Sequence, residues 1–454
     1  MLASYWRRIL LAAALLVFAV SPVAIMPVLA QTSFLNVGKQ VPITILINSS
    51  PWLGGFQSVA GLYEQQTGNK VNLDVTPYPG MLEKARNAVR GTESPDDVLN
   101  LDSGWTIEFY EGGFLVSLDQ VEPGYALPKE VLTCGDSYFW NAAKRFRMEA
   151  GGVLMAIPPN CNTHVLVWRK DLFDQAGLPA PKTYDDVLAA CAKLQSPPKL
   201  YGFVTRGERG NGINFDFMPF LLGYGAHIVA DPANGDFTVT VNSPAAKEAL
   251  DKFIEIMKRC APPNAGSIGQ ADEIQLMAVG KVAMSEVVIA AWAGLQDPNK
   301  SMVAGKVAAA VNPGPVGRPP GVVVGNWHFA IPKNIPETHQ KADMAFFKWF
   351  LTKESQTAYA EAGGIPVRSD VLTELAVQPK FAWMSAYNDS LKLGQQVLGF
   401  AEGPAVEQIL GLRLNQALIG EMTAAHALNT AASEIKDVFA RSGRKTGLLP
   451  PLPE

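Results

Sequence analysis

The chain has 454 residues, a formal net charge of −4, 18 % charged and 9 % aromatic residues. Single cores stop growing at roughly 250–300 residues, so this length predicts two domains. Nucleic acid is excluded as a partner because no basic stripe exists; Arg145-Phe146-Arg147 and Arg441 to Lys445 are short and read as a solvated helix face and a tail.

Trp6-Arg7-Arg8 gives a positive start, Ile9 to Val20 is uninterruptedly apolar, Ser21-Pro22 breaks the run, and Val28-Leu29-Ala30 precedes Gln31. A basic start, a short apolar run and a small-residue exit mark a secretory leader, whereas a spanning helix needs roughly 20 apolar residues. Residues 1–30 are therefore expected to be a signal peptide, cleaved near Ala30, that sends a soluble mature protein to the periplasm. Val287 to Leu295 and Val303 to Val311 are too short to span. Four cysteines, Cys134, Cys161, Cys191 and Cys260, enter an oxidising compartment. They allow three disulfide connectivities, all open at this point, with Cys134–Cys161 the first to test. None forms a CxxC pair, so no zinc or redox site is expected.

Beyond the leader, strand-like and helix-like segments alternate. Val41 to Ile47 is a β-branched run ending in Asn48-Ser49-Ser50; Gly54 to Thr67 carries Phe56, Val59, Ala60 and Tyr63 at helical spacing and stops at Gly68. Val71 to Val75 reads as a strand, Met81 to Arg90 as a helix, and Asp97 to Leu101 as a third strand followed by Asp102-Ser103-Gly104. This order predicts a parallel sheet with crossover helices. Such sheets bind ligands at the carboxyl ends of their strands. The first strand ends beside Trp52, the third at Asp102 beside Trp105. Each end alone reads as ordinary helix capping; together they mark one edge of one sheet.

A second α/β region follows. Val165 to Trp168 is strand-like, Lys170 to Ala176 helical, and Thr183 with Asp186 predicts a capping box. Lys199 to Thr205 reads as a strand, Ala245 to Arg259 and Ala271 to Val279 as helices, Ala283 to Ile289 as an apolar strand. Ala342 to Leu351 is a helix rich in Phe and Trp, and Ala405 to Phe439 is almost wholly helical.

These segments resemble a family. Gly152 to Pro158, Leu166 to Phe173, Gly177-Leu-Pro and Pro181 to Asp186 are similar to the central signature of the family 1 extracellular solute-binding proteins, the sugar-type receptors of ATP-binding-cassette (ABC) importers. Gly280-Lys-Val-Ala-Met284 with Trp292, Gly325 to Pro332, and Gly364-Ile-Pro-Val-Arg368 resemble later elements in order; Trp168-Arg169-Lys170-Asp171 departs mildly from an aromatic-Asn-Lys-Asp pattern. The resemblance runs from about Val41 to about Leu372. It implies an α/β, two-lobed periplasmic-binding-protein fold of type II, each lobe a mixed sheet flanked by helices, with the ligand cleft between lobes. Carried over, the N-lobe holds 41–158 and 287–338, the C-lobe holds 163–284 and 343–454, and the hinges fall near 157–163, 285–292 and 337–343.

Sugar recognition needs flat aromatic faces and fixed polar groups. The stacking candidates are Trp52, Trp105, Trp292 and Trp327, and the resemblance favours Trp292. The glycine-rich loop from Thr205 to Gly212 follows a strand, and its Arg206 and Arg209 offer forked donors to hydroxyls or to a carboxylate. Asp102 and Glu286 are the carboxylates expected at the cleft, and His164 and His328 are expected to be structural. No catalytic motif, metal-ligand spacing or phosphate loop appears, so neither cofactor nor metal is expected. The expected function is capture of a sugar or polyol by a monomer that delivers it to ABC permease subunits in the inner membrane. The alternatives are a carboxylate or polyamine in the same fold, and a secreted carbohydrate-active enzyme working with two carboxylates.

Overall fold

The computed structural model describes residues 34–454. The expected leader, residues 1–30, lies outside them. Strand and helix alternate from the start. β1 (Ile43–Asn48) is a β-branched run with nearly every side chain buried. α1 (Leu53–Thr67) buries Phe56, Val59, Ala60 and Tyr63 along one stripe and ends at Gly68, whose φ of 70° suits glycine. β2 (Val71–Thr76), α2 (Tyr78–Arg90), β3 (Val98–Asp102) and α3 (Ser103–Glu111) repeat the unit. There follow β4 (Ala156–Asn160), β5 (His164–Arg169), β6 (Tyr201–Val204), α4 (Asn211–Gly223), α5 (Pro244–Cys260), α6 (Gln270–Ala278) and β7 (Val282–Val288). Next come α7 (Trp292–Gln296), β8 (Val307–Ala310) and β9 (Trp327–Ala330). The helices α8 (Glu337–Phe350), α9 (Lys353–Glu361), α10 (Trp383–Leu393), α11 (Gly403–Ile419) and α12 (Ala424–Arg441) complete the set that matters for the site.

The strands form two principal mixed sheets, ordered β2-β1-β3-β9-β4 and β8-β5-β7-β6. β1 runs parallel to β2 and β3. β9 lies antiparallel between β3 and β4, with Trp327 opposite both Asp102 and Asn160. This register brings the end of β3 and the start of β9 to one edge. In the second sheet β7 pairs antiparallel with β5 and parallel with β6; it is buried along its whole length, as a central strand covered on both faces must be. Residues 161–163 lead directly from β4 of one sheet to β5 of the other.

The lobe boundaries differ from those expected. Residues 287–338 do not all join the first sheet: β8 pairs with β5 in the second. β7 runs unbroken through residues 285–288, so that stretch is a core strand and not a hinge. Nor does the chain cross at 337–343. α8 starts there and packs on the first lobe, with Phe346 and Phe350 edge-on to Phe56 and Trp349 edge-on to Tyr63. Four large aromatics within five residues need a face to bury them, and α1 supplies it. The chain reaches the second sheet again only with α10, which packs on β8 and β5.

Cys134 pairs with Cys161 and Cys191 with Cys260, at Cα–Cα distances of 6.0 and 5.9 Å. The capping box forms: Asp186 N donates to Thr183 Oγ1 at 3.1 Å and Thr183 N to Asp186 Oδ2 at 2.9 Å. Among the described residues no helix is long and apolar enough to cross a membrane.

Candidate functional site

A cleft of about 950 Å³ lies between the two sheets and is lined from both. Its first wall is the carboxyl edge of the first sheet. β1 delivers Asn48, Ser50 and Trp52; β3 delivers Asp102 and Trp105; β9 begins with Trp327. Tyr78 joins them because α2 opens irregularly. Pro77 precedes it, and Pro79 and Gly80 leave helical geometry, Gly80 at φ 89°.

The aromatic rings form a corner. Tyr78 lies 4.7 Å from Trp105, and Trp327 lies 6.1 Å from Trp105, 6.1 Å from Tyr78 and 6.3 Å from Trp52 between ring centroids. Tilted and edge-on arrangements of this kind are the favoured ones. The rings cover one another, leaving Trp105 3 % and Trp327 5 % exposed. Several polar atoms in this wall have no partner within the protein: Asn48 Oδ1, Ser50 Oγ, Trp52 Nε1 and Tyr78 OH. Leaving one such buried group unpaired costs about 1–3 kcal/mol, and these four residues lie together on the cleft wall. Asp102 caps α3, its Oδ1 accepting from Gly104 N at 2.8 Å. Burial raises its pKa to about 6, against the lowering effects of Gly104 N and the Arg206 charge.

The second wall is polar. Arg206 follows β6, and its position is fixed by Asp216 on α4. Arg206 Nε donates to Asp216 Oδ1 at 2.9 Å and Arg206 N to Oδ2 at 2.7 Å. Thr205 Oγ1 also bonds Oδ2, and His164 Nε2 lies 2.7 Å from Oδ1. Burial opposes the charge on Asp216, but Arg206 and His164 outweigh it and hold this carboxyl well below the ordinary range. The Arg206 guanidinium also lies over the Phe215 ring, 5.4 Å from its centroid, and Nη1 lies 3.5 Å from Gln270 Oε1. Asn211 Nδ2 donates to Glu407 Oε2 at 2.9 Å. Glu407 is 5 % exposed, and burial, reinforced by the Asp102 charge, raises its pKa to about 8. α11 reaches this loop because residue 411 is glycine; a Cβ there would meet Gly210 O at 2.4 Å.

Of the residues singled out in the sequence, Trp52, Asp102, Trp105, Arg206, Arg209 and Trp327 line this cleft, Arg209 as an exposed rim residue. Two do not. Glu286 lies within the core strand β7, 1 % exposed, accepting from Asn312 Nδ2 at 2.8 Å. Trp292 is carried past the cleft by the turn Ile289–Ala291 and opens α7, lining a separate pocket of about 330 Å³ with Phe381 and Trp383. Tyr78, Gln270 and Glu407 were not foreseen. Tyr78 follows the end of β2, so the strand-end rule that found Trp52 applied to it as well. Glu407 lies in a helix almost 200 residues from the loop it meets, with nothing local to mark it. His328 is structural: Nδ1 lies 3.1 Å from Thr106 Oγ1 and Nε2 3.1 Å from Ser137 O, and burial lowers its pKa to about 3. Among the described residues no group of three or more His, Cys, Asp or Glu is arranged to hold a metal.

Comparison with known proteins places this geometry in context. A model of the bacterial extracellular solute-binding proteins matches residues 49–357. A probable ABC transporter-binding protein of Deinococcus radiodurans is 28 % identical over 200 residues, 43 % of this chain and 47 % of that one, so the match spans just under half of that relative. The mannitol-binding protein of Pseudomonas aeruginosa is 26 % identical over 363 residues, 74 % of this chain and 80 % of that one. Among solved structures, an ABC transporter solute-binding protein of Agrobacterium radiobacter K84 in complex with ribitol superposes with a TM-score of 0.76 at 26 % identity, covering 88 % of this chain and 99 % of that one.

Proposed function

Because the chain belongs to the bacterial extracellular solute-binding protein family, we propose that it captures a polyol or sugar in the cleft between its two sheets and hands it to the permease of an ABC importer. The observation that carries this reading is the composition of the cleft: an aromatic corner with unpaired donors and acceptors on one side, an anchored arginine and amides on the other. A polyhydroxy molecule presents both donors and acceptors on a carbon chain and meets each of these groups. The mannitol-binding relative and the ribitol-bound neighbour support the ligand class. In this reading the lobes close over ligand by bending where the chain passes between the sheets. The mature chain acts as a monomer in the periplasm after loss of residues 1–30, and ATP hydrolysis belongs to the transporter's other subunits.

A thermal-shift screen of the mature protein against alditols, monosaccharides, disaccharides, polyamines and organic acids tests this. A ligand that binds only the folded state raises Tm by mass action, about 2.7 kcal/mol of stabilisation at a hundredfold excess over Kd. A shift with an alditol or sugar supports the proposal. A shift confined to polyamines or acids overturns the ligand class, and turnover of an oligosaccharide overturns the binding-only role.

A further inference from the structure

Two carboxyl groups come close to one glycine from opposite walls of the cleft. Asp102 ends β3 on the first wall, and Glu407 lies just over one turn into α11 on the second. Both come close to Gly104: a Cβ on that residue would sit 3.2 Å from Asp102 Oδ1 and 4.0 Å from Glu407 Oε2. The walls touch here, because a Cβ on Gly403 of α11 would strike Gly104 O at 2.5 Å. The other charged or titratable groups that face the pair are Arg206 and Tyr78. Arg206 is held by Asp216. The Tyr78 phenol is pushed well above its ordinary range by burial and then by the two carboxyls, so it stays neutral. Asn211 supplies one neutral donor to Glu407. Two neighbouring buried carboxyls without a free cation do not both ionise. Independently, Trp52 is fully buried with Nε1 unpaired and Asn48 is 5 % exposed with Oδ1 unpaired, and both line the same cleft.

We propose that Asp102 and Glu407 hold one proton between them, and that this pair selects uncharged polyhydroxy ligands over carboxylates and phosphates of similar size. The inference rests on this cleft being the ligand site. A protonated Glu407 donates to a ligand hydroxyl while Asp102 accepts from one. An anionic ligand meets the remaining negative charge at the pair, where Arg206 is committed to Asp216 and Arg209 stands at the exposed rim. The proton sits on Glu407 at neutral pH, since burial raises its pKa to about 8 and that of Asp102 only to about 6. The closed pair therefore binds a proton that a solvated glutamate, with a pKa near 4.5, has lost. Closure and binding are strongest at low pH, weaken as pH rises through this interval, and level off above about 8.

The test is calorimetric titration of D-mannitol, ribitol, D-gluconate and glucamine into the wild type and E407Q at pH 6 and pH 9, with thermal melts of the ligand-free proteins alongside. Wild-type affinity for the alditol is expected to fall about tenfold or more between the two pH values. E407Q is expected to bind with the same affinity at both pH values, and at least as tightly as the wild type does at pH 6, because glutamine mimics the protonated acid. Gluconate is expected to bind at least about tenfold more weakly than the alditol at pH 6. The same pH slope in E407Q, equal binding of gluconate, or tighter binding of glucamine than of the alditol each overturn the proposal. If no alditol binds, the melts still decide. Wild type losing Tm relative to E407Q from pH 6 to pH 9 upholds the shared proton while removing the polyol reading, and parallel melts overturn the shared proton whatever the ligand is.

Discussion

The wall of the cleft contributed by the first sheet is made from strand ends, and the wall contributed by the second is made from groups brought together over long stretches of chain. On the first, Asn48, Ser50, Trp52, Asp102, Trp105 and Trp327 follow from the register of three neighbouring strands. Their polar atoms are largely unpaired, and the rings support one another. On the second, Arg206 is useful only because Asp216, Thr205 and His164 fix it, and Asn211 only because Glu407 stands opposite. One wall is a rigid surface with open valences. The other is a network in which the ligand-facing members are held in place by hydrogen bonds to buried partners.

Substitutions separate these two modes. The largest effect is expected for Asp216→Ala, which leaves Arg206 buried without its partner. Breaking such a pair from one side destabilises by about 3–5 kcal/mol, read as a lower denaturation midpoint by urea; a loss below about 1 kcal/mol would mean that Arg206 finds water instead. On the first wall, Trp327→Ala removes the ring that links Trp52, Tyr78 and Trp105, and alditol affinity is expected to fall about 30-fold, the equivalent of about 2 kcal/mol at a central aromatic anchor. Ser50→Ala is the milder probe. Its hydroxyl has no protein partner, so Tm stays level while affinity falls about fivefold, the loss of one hydrogen bond worth about 1 kcal/mol. The smallest effect is expected for Trp292→Ala. It lies outside the cleft, and alditol affinity is expected to remain within about twofold by calorimetry.

The same contrast explains how far the sequence could be read. Strand ends are local: a β-branched run that stops at Asn48-Ser49-Ser50 and Trp52 exposes its own carboxyl edge, and the alternation of strand and helix fixes which edge that is. The helix stop at Gly68 and the Thr183–Asp186 cap were legible for the same reason. Glu286 misled because the hinge expected near 285–292 overlaps the apolar strand read over Ala283 to Ile289; the residue lies inside that strand, where Asn312 pairs it. Trp292 misled because three residues separate it from the end of β7 at Val288, enough for a turn that redirects the chain. Glu407 and the return of α8 to the first lobe depend on contacts between distant segments, which no local pattern encodes.

The central claim is that this cleft, and not another surface, holds a polyhydroxy ligand between the two walls. Calorimetric titration of D-mannitol and ribitol into protein unfolded, dialysed and refolded to remove any carried-over ligand tests it most directly, with Trp327→Ala and Ser50→Ala from the first wall and Asn211→Ala from the second. The account predicts binding of one molecule per chain that weakens in all three variants. Wild-type binding that all three leave unchanged, or no heat from any alditol or sugar, would contradict it.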